Sequence, residues 1–375
     1  MSEEKEKKIY FKLRKHLDQF PIGLPKTDSG VEIKLLKHIF TPEEAKIAST
    51  LSIFPKKAHT LFLRFRRKYS EDEFNDILEN MAKKGGIFRY RKGDKRYYSN
   101  AFLAVGMFEY QLNRMDKEFA DNFDQYLDEV FFDEFTGVDT PQLRVIPIEQ
   151  TVEPKTAIAT YDYLEDLVMG ERGKISISEC ICRKKKDLQG EHCEHSRETC
   201  FQLGGAADFY IENGLAREIE KEEALEIIRN AEKEGLVIEP GNTVHPYAIC
   251  CCCGCCCEVL TNLKKLNNPA DFVHSNYHAE INQEECIGCG VCLDRCQMNA
   301  ISLIDEGSDT DTKQSKKVAH LNLERCIGCG LCATTCGPEA IHMVKKSDKE
   351  IKIPPKNTKE LYMKIGMEKS EMKNK

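Results

Sequence analysis

Two near-identical cysteine motifs constrain this 375-residue chain more than any other feature. They read CIGCGVCLDRC from Cys286 to Cys296 and CIGCGLCATTC from Cys326 to Cys336, so each has the spacing C-x2-C-x2-C-x3-C. A turn of this spacing wraps three thiolates around one face of an iron–sulfur cubane, and its glycines let backbone amides approach the sulfurs. Zinc knuckles pair cysteines as two separate C-x2-4-C units, which does not account for this register. The motifs therefore predict two iron–sulfur clusters.

The segment from about residue 279 to residue 346 resembles ferredoxins that carry two [4Fe-4S] clusters. In such ferredoxins the fourth cysteine of each motif ligates the cluster of the other motif. A proline usually follows that cysteine, whereas Gln297 and Gly337 stand there in this chain, which affects local turns more than ligation. The crossover implies two ligand sets, which are Cys286, Cys289, Cys292 and Cys336 for one cluster and Cys326, Cys329, Cys332 and Cys296 for the other.

Composition indicates in which compartment the protein acts and which partners it does not bind. The net charge of -7 gives no general affinity for nucleic acid. The charged N-terminus has no apolar segment behind it, and no run reaches the roughly 18 apolar residues of a membrane span. Nineteen cysteines in a chain of this length indicate metal ligands rather than a disulfide framework. We expect a cytoplasmic protein of an anaerobic or strongly reducing cell, without a membrane span.

The chain is long enough for several cores, and its pattern predicts an α+β fold. The predicted parts are a mostly helical, winged-helix-like domain at 1–140, a cysteine-rich central domain at 141–278, a two-cluster ferredoxin domain at 279–346, and a lysine-rich tail at 347–375 that we expect to be solvated and mobile.

The N-terminal region resembles a winged helix. Helical spacing runs from Val31 to Ile39, and capping boxes begin helices at Thr41 and Ser70. A further helix is predicted from Lys56 to Tyr69, and a β-hairpin around Gly93-Asp94 follows.

The surface of the third helix of this unit argues against DNA as its ligand. Glu71, Asp72, Asp76 and Glu79 would be repelled by phosphates, although the hairpin is basic. We therefore expect a structural or protein-docking role, with a redox-sensing transcription regulator as the alternative.

A second cysteine group begins in KISISECICRKKK. If this segment is a strand, Cys180 and Cys182 point to the same face, and Cys193 and Cys200 return from a polar loop to close one site. An iron–sulfur cluster is favoured there, and zinc with His192 or His195 is the competing occupant. The basic run 183–186 would favour the reduced cluster and offer a docking patch for an acidic carrier, or form a solvated loop.

The run CCCCGCCC at 250–257 must serve more than one site, because neighbouring side chains diverge on an extended backbone. The ferredoxin motifs leave eleven cysteines unassigned. We predict that Cys180, Cys182, Cys193 and Cys200 mix with the dense run around two clusters; a fused or double cubane with about six thiolates is the rival. The expected ligands of the run are Cys250, Cys252, Cys253, Cys255, Cys256 and Cys257.

The order of FPIGLPKTDSGVEIKLLKHIFTPEEA, TPQLRVIPI, ISECICRK, AADFYIENGLAREI, CCCCGCCC and the ferredoxin motifs resembles a family of cytoplasmic 4Fe-4S dicluster proteins of anaerobic bacteria and archaea. In that family the dense run usually reads C-N-C-C-G-C-C-C. Cys251 stands at the asparagine position, so the resemblance implies that Cys251 is a spare thiol. The family has no settled reaction.

The expected function is single-electron transfer between redox proteins such as an oxidoreductase subunit, a ferredoxin or a flavoprotein. The chain has no P-loop, dinucleotide fingerprint or nucleophile triad, so an enzyme is not the first expectation. The alternatives are the redox-sensing regulator and a redox enzyme or activase with a catalytic central cluster.

Overall fold

The computed structural model describes residues 3–152, 159–308 and 315–373, and helices dominate its N-terminal half. Both predicted capping boxes are present, with Thr41 paired to Glu44 and Ser70 paired to Glu73. The predicted helix from Lys56 to Tyr69 is wrong for most of its length, because it opens as a short strand and continues as a five-residue helix and turns. The elements are α1 (Glu3–Leu17), α2 (Val31–Ile39), α3 (Pro42–Ala48), β1 (Lys56–Lys57), α4 (Ala58–Phe62) and α5 (Glu71–Lys83).

The predicted hairpin is present as β2 (Ile87–Lys92) and β3 (Lys95–Asn100), and β1 adds to β3 as a third antiparallel strand. These helices and this hairpin follow the order expected of a winged helix, and the assignment to that fold stays a prediction. The aromatic-rich stretch 101–135 is helical only in its second half. Turns occupy 101–116 apart from a short 3-10 turn, and α6 (Lys117–Tyr126), a π-helical turn and α7 (Phe132–Thr136) follow.

The hairpin is held by carboxylates rather than left free. Glu79 of α5 accepts hydrogen bonds from Arg89 at 2.8 Å, Arg96 at 3.0 Å and Tyr98 at 2.6 Å. Arg91 pairs with Glu212 at 2.8 Å. The basic charge that kept DNA binding open is therefore largely neutralised within the protein.

Replacing Glu79 with glutamine is expected to lower the free energy of unfolding by roughly 2 kcal/mol, since it removes one of the two carboxylates that pair with the buried Arg89 and leaves only Glu212, at 2.6 Å. Burial opposes ionisation, but the hydrogen bonds from Tyr98 and Arg96 and the charge of Arg89 lower the pKa of Glu79. A lowered pKa gives stability that is present above the unfolded value of about 4.3 and is lost as pH falls through the folded pKa. Denaturant unfolding against pH should show a larger loss of stability in acid for the wild-type protein than for the variant, because other carboxylates with lowered pKa values, such as Glu43 and Asp121, remain in both.

Asp76 is the matched control because it is exposed on the same helix. Asp76→Asn should change the free energy of unfolding by within about 0.5 kcal/mol. Equal effects of the two substitutions would contradict the anchoring role of Glu79.

A five-stranded antiparallel sheet forms the centre of the cysteine-rich region, with strand order β6-β4-β5-β8-β7. Two helices, Gly205–Glu212 and Lys221–Glu234, separate the two sets of central cysteines in sequence, and the second of them packs on this sheet. The elements are α8 (Leu164–Met169), β4 (Ile175–Glu179), α9 (Ile181–Leu188), β5 (Glu198–Leu203), α10 (Gly205–Glu212), β6 (Arg217–Ile219), α11 (Lys221–Glu234), β7 (Val237–Pro240), β8 (Ala248–Cys252) and α12 (Glu258–Lys265).

The ferredoxin region consists of two small antiparallel sheets, β9 with β12 and β10 with β11. The expected mobile tail differs from the structure, because its final helix buries Leu361 and Ile365 in the N-terminal core. The elements are β9 (Tyr277–Ile281), α13 (Val291–Arg295), β10 (Ile301–Ser308), β11 (Ser315–Leu321), β12 (Ile341–Lys345) and α14 (Thr358–Lys373).

The predicted boundary near residue 140 does not separate two cores. The N-terminal core also contains Ile181, Phe209 and Tyr210 of the central region. The segment after residue 140 is extended, and its backbone bonds to both later regions: Arg144 donates to Pro240 O at 3.0 Å and Ile148 donates to Cys329 O at 3.1 Å. The N-terminal half therefore packs directly against the cysteine-rich region and shares a core with it.

Candidate metal centres

Eight cysteines of the ferredoxin region line two small cavities, each of about 20 Å³. This grouping matches the two crossed sets that the motifs predict, and metal ligation by them stays a prediction. One cavity is lined by Cys286, Cys289, Cys292 and Cys336, and the other by Cys296, Cys326, Cys329 and Cys332.

Backbone geometry around these cavities suits anionic sulfur. The amide of Ala319 donates to Cys286 Sγ at 3.3 Å, and the amide of Ala300 donates to Cys296 Sγ at 3.2 Å. Gly288 and Gly328 have φ of 66° and 69°, and a Cβ on either would overlap a backbone carbonyl. Glycine is therefore required at these two positions of the motifs.

The donor chemistry of the two cavities fits iron–sulfur clusters. Each offers four thiols and no competing carboxylate among its lining residues, all of which lie in the described part of the chain. Burial raises the pKa of Cys292 to about 11 and that of Cys329 to about 12. These thiols would stay protonated near neutral pH on their own, and a bound metal centre is what makes them thiolates.

Six central cysteines that line a third cavity are called here the six-thiol group; Cys251 and Cys253 line the same cavity. Cys200 of β5 lies opposite Cys250 of β8, and Cys250 and Cys252 share one face of β8. The pKa of each of these thiols is affected by the neighbouring thiol in the group. The six-thiol group consists of Cys180, Cys182, Cys257, Cys252, Cys250 and Cys200.

Local structure explains how the first of these cysteines meet, and it corrects the strand prediction. Strand β4 ends at Glu179, Cys180 is the N-cap residue of α9, and Cys182 lies in its first turn. The two thiols therefore converge through a helix start rather than through the alternation of a strand. Cys257 occupies the N-cap position of α12 in the same way.

Four other cysteines form a second central set, which we call the four-thiol group: Cys193, Cys253, Cys255 and Cys256. Cys193 Sγ lies 3.9 Å from Cys253 Sγ and 3.8 Å from Cys255 Sγ. His195 Nδ1 lies 3.3 Å from Cys193 Sγ, which keeps zinc as an alternative occupant.

Two expectations for this part of the site change. His192 is directed away from the four-thiol group, toward Asp187 at 3.4 Å. Cys193 does not join Cys180, Cys182 and Cys200 in one site, although the predicted mixing of these cysteines with the dense run is present.

Cys251 belongs to neither group. Its side chain is 1% exposed and packs in the apolar core between the sheet and α11. Strand alternation turns it away from Cys250 and Cys252. This placement supports the spare-thiol role that the family resemblance implies.

The predicted basic docking patch at 183–186 is wrong for two of its four residues. Arg183 is 0% exposed and donates to Ser196 O at 2.7 Å, to Thr199 Oγ1 and to Cys251 O at 3.1 Å. Lys185 is 1% exposed and pairs with Asp124 and, at 2.6 Å, with Glu258.

Arg183 lies close to both central thiol groups. Burial acts to lower the pKa of Arg183, but the thiolates of Cys180 and Cys253 outweigh it and raise that pKa. The buried Arg183 guanidinium would therefore stabilise negative charge in the six-thiol group and in the four-thiol group.

Buried acids near the six-thiol group carry no sequence signal. Glu239 of β7 lies with its Oε2 at 3.9 Å from Cys257 Sγ, and burial raises its pKa to about 8. Burial likewise raises the pKa of Glu109 in the cavity wall to about 8. Isolated glutamates in polar-looking segments are ordinarily exposed, so only the fold reveals them.

The ferredoxin region and the six-thiol group share one apolar cluster. Cys252, Cys257 and Leu260 pack there with Ile327 and Leu331, and Cys250, Cys296 and Cys329 border the same cluster. Gln297, which takes the place of the usual proline after Cys296, accepts from the amide of Gly254 at 2.7 Å. The departure from the ferredoxin pattern thus makes a direct contact with the dense cysteine run.

Comparison with known proteins identifies one segment. Residues 279–343 match the family model described as 4Fe-4S dicluster domain. No curated protein and no solved structure matches the chain. In the part of the chain that the structure describes, no helix combines the length and apolarity that crossing a membrane requires. With its dicluster domain and its central cysteine groups, the chain is an iron–sulfur protein.

Proposed function

We propose that this protein passes single low-potential electrons between redox proteins, through two [4Fe-4S] clusters in the ferredoxin region and further iron–sulfur centres at the central thiols. When bound, the clusters supply reversible one-electron reduction without bond-making chemistry. The observation that carries the proposal is the shared apolar cluster, which joins the second ferredoxin cavity to the six-thiol group. A dry contact of this kind excludes water between two neighbouring redox sites.

The outer end of the proposed path is at the first ferredoxin cavity. Cys289 is exposed there, and Ile287 and Val291 beside it are 69% and 46% exposed. Glu284 and Glu285 are exposed next to them. An apolar patch with an acidic margin suits transient docking of an electron-carrying protein, such as a ferredoxin, a flavoprotein or an oxidoreductase subunit.

The cysteine chemistry supports a reducing compartment. All nineteen cysteines are free thiols, and many of them lie close enough together to oxidise. Such a set persists where cellular reductants keep thiols reduced. We therefore propose a cytoplasmic location in an anaerobic cell.

Replacing Cys289 with alanine is expected to abolish one low-potential reduction wave and its EPR signal, and to slow electron transfer to a carrier at least about tenfold. Cys289 is exposed, so the substitution creates no buried cavity. EPR-monitored redox titration and stopped-flow electron transfer are the measurements. Cys251→Ala is the control and should keep every wave. A Cys289→Ala protein with an unchanged titration would refute this ligand and the proposed outer end.

A second candidate function, a redox enzyme or activase with a catalytic central cluster, is favoured by the size of the central cavity, about 140 Å³. Turnover of a small-molecule substrate by the isolated reduced protein would support it. For the N-terminal region we propose a structural role and no DNA binding, supported by the paired hairpin arginines.

A further inference from the structure

The central cavity is much larger than a single cubane site of this chain. The two ferredoxin cavities are each bordered by four cysteines and measure about 20 Å³. Their volume is the reference for a site that fits one cubane. The central cavity measures about 140 Å³ and is lined mainly by apolar side chains. It is bordered by every member of the six-thiol group and also by Cys251 and Cys253. It has room for more than one cubane core.

The number of thiols also exceeds what one cubane uses. A [4Fe-4S] cubane takes one protein thiolate on each of its four irons. The six-thiol group places six cysteines, among them Cys180 and Cys200, around this one cavity. Two of these would have no iron to bind in a single cubane.

Arg183 lines this cavity and also interacts with Cys253 of the four-thiol group, and it provides an independent sign of an anion here. It is 0% exposed, its Nε atom has no hydrogen-bond partner, and no carboxylate of the described residues forms a salt bridge with it. Its other partners are carbonyl oxygens and a hydroxyl, which do not neutralise its charge. A buried unpaired charge is strongly unfavourable, so the site needs a negative group beside Arg183. A thiolate-bound iron–sulfur cluster is such a group.

The four-thiol group is a separate site. Cys253 packs in the core on the α11 side of the sheet, whereas Cys252 belongs to the apolar cluster that contacts the ferredoxin region. Gly254 turns the chain directly after them, and Cys255 is exposed. The four-thiol group therefore reaches the surface through Cys255, whereas the six-thiol group has no exposed member.

We propose that the six-thiol group binds one iron–sulfur cluster of more than four irons, through Cys180, Cys182, Cys200, Cys250, Cys252 and Cys257, while the four-thiol group holds a separate centre. This inference rests on the proposed iron–sulfur function. It specifies the kind of central centre to which the ferredoxin region delivers electrons, or from which it receives them.

The test is native mass spectrometry of the full chain after anaerobic reconstitution with ferrous iron and sulfide. In the double variant Cys255→Ala/Cys256→Ala the four-thiol group is disabled, so the ferredoxin clusters hold about eight irons and the rest belongs to the six-thiol group. We expect more than about twelve irons per chain. Twelve or fewer overturns the proposal.

Two further measurements keep the test decisive if the double variant does not fold. The wild-type protein should then carry more than about sixteen irons, or more than about twelve with one zinc, and smaller counts overturn the proposal. Cys200→Ala should lose more than about four irons, whereas Cys251→Ala should lose none. Ferredoxin EPR signals report on the proposed function separately, because they remain if only the six-thiol assignment fails.

Discussion

Replacing Arg183 with methionine is expected to lower the reduction potential of the adjacent central centre by on the order of 100 mV. Reduction adds negative charge, and the buried guanidinium between the two thiol groups stabilises the reduced form. Two unit charges roughly 6 Å apart interact by about 3 kcal/mol at an effective dielectric of about 20, which corresponds to roughly 100 mV for a one-electron couple. EPR-monitored redox titration of the full chain measures the shift.

Arg183→Lys is the matched control for this prediction, because it keeps a positive charge in the same helix. The reduction potential of the lysine variant should lie close to that of the wild-type protein. A lysine ammonium cannot make all the hydrogen bonds of the Arg183 guanidinium, so the recovery should be incomplete. The reduction potentials of the clusters in the ferredoxin region should change much less in either variant. A folded methionine variant with wild-type central potentials would show that Arg183 does not face a redox centre.

The second large effect is expected for Lys185→Met, which should lower the free energy of unfolding by about 3–5 kcal/mol. Lys185 is 1% exposed and neutralises Asp124 of α6 and Glu258 of α12. Its removal leaves Glu258 without a partner in a largely buried position. Because Cys257 is the N-cap residue of α12, loosening this contact should also release iron from the six-thiol group at lower denaturant concentration.

Lys186 gives the comparison on the next residue of the same helix. It pairs with Glu191, whose side chain is 65% exposed, so Lys186→Met should change the free energy of unfolding by less than about 1 kcal/mol. Denaturant unfolding under anaerobic conditions, followed by circular dichroism and by cluster absorbance, compares the two. Similar unfolding curves for both variants would mean that the ion pairs of Lys185 with Asp124 and Glu258 do not hold the N-terminal half against the cysteine-rich region.

The features that sequence predicts well obey short-range rules. The capping boxes at Thr41 and Ser70, the hairpin at Gly93-Asp94 and the grouping of the ferredoxin cysteines each depend on a few neighbouring residues with fixed geometry. The repeated cysteine motif also predicts a contact between distant residues, because the fourth cysteine of each motif lines the cavity of the other motif. Local chemistry therefore suffices for these parts.

The features that sequence does not predict depend on partners far along the chain. Arg183 and Lys185 look like a solvated basic run, and their burial is set by Thr199, Asp124 and Glu258. The strand prediction for Cys180 and Cys182 fails because a helix begins between them, without a capping side chain to announce it. The division of the central cysteines into six, four and one follows from the faces of β8 and the turn at Gly254, which spacing alone does not specify.

The central claim is that electrons move between the ferredoxin region and the central centres. An EPR-monitored redox titration of the full-length protein, with iron counted on the same sample, tests it most directly. We predict more than about eight irons, reduction waves beyond those of the two ferredoxin clusters, and magnetic coupling that broadens the signal of the cluster at Cys296, Cys326, Cys329 and Cys332. About eight irons with two magnetically isolated waves would contradict the claim.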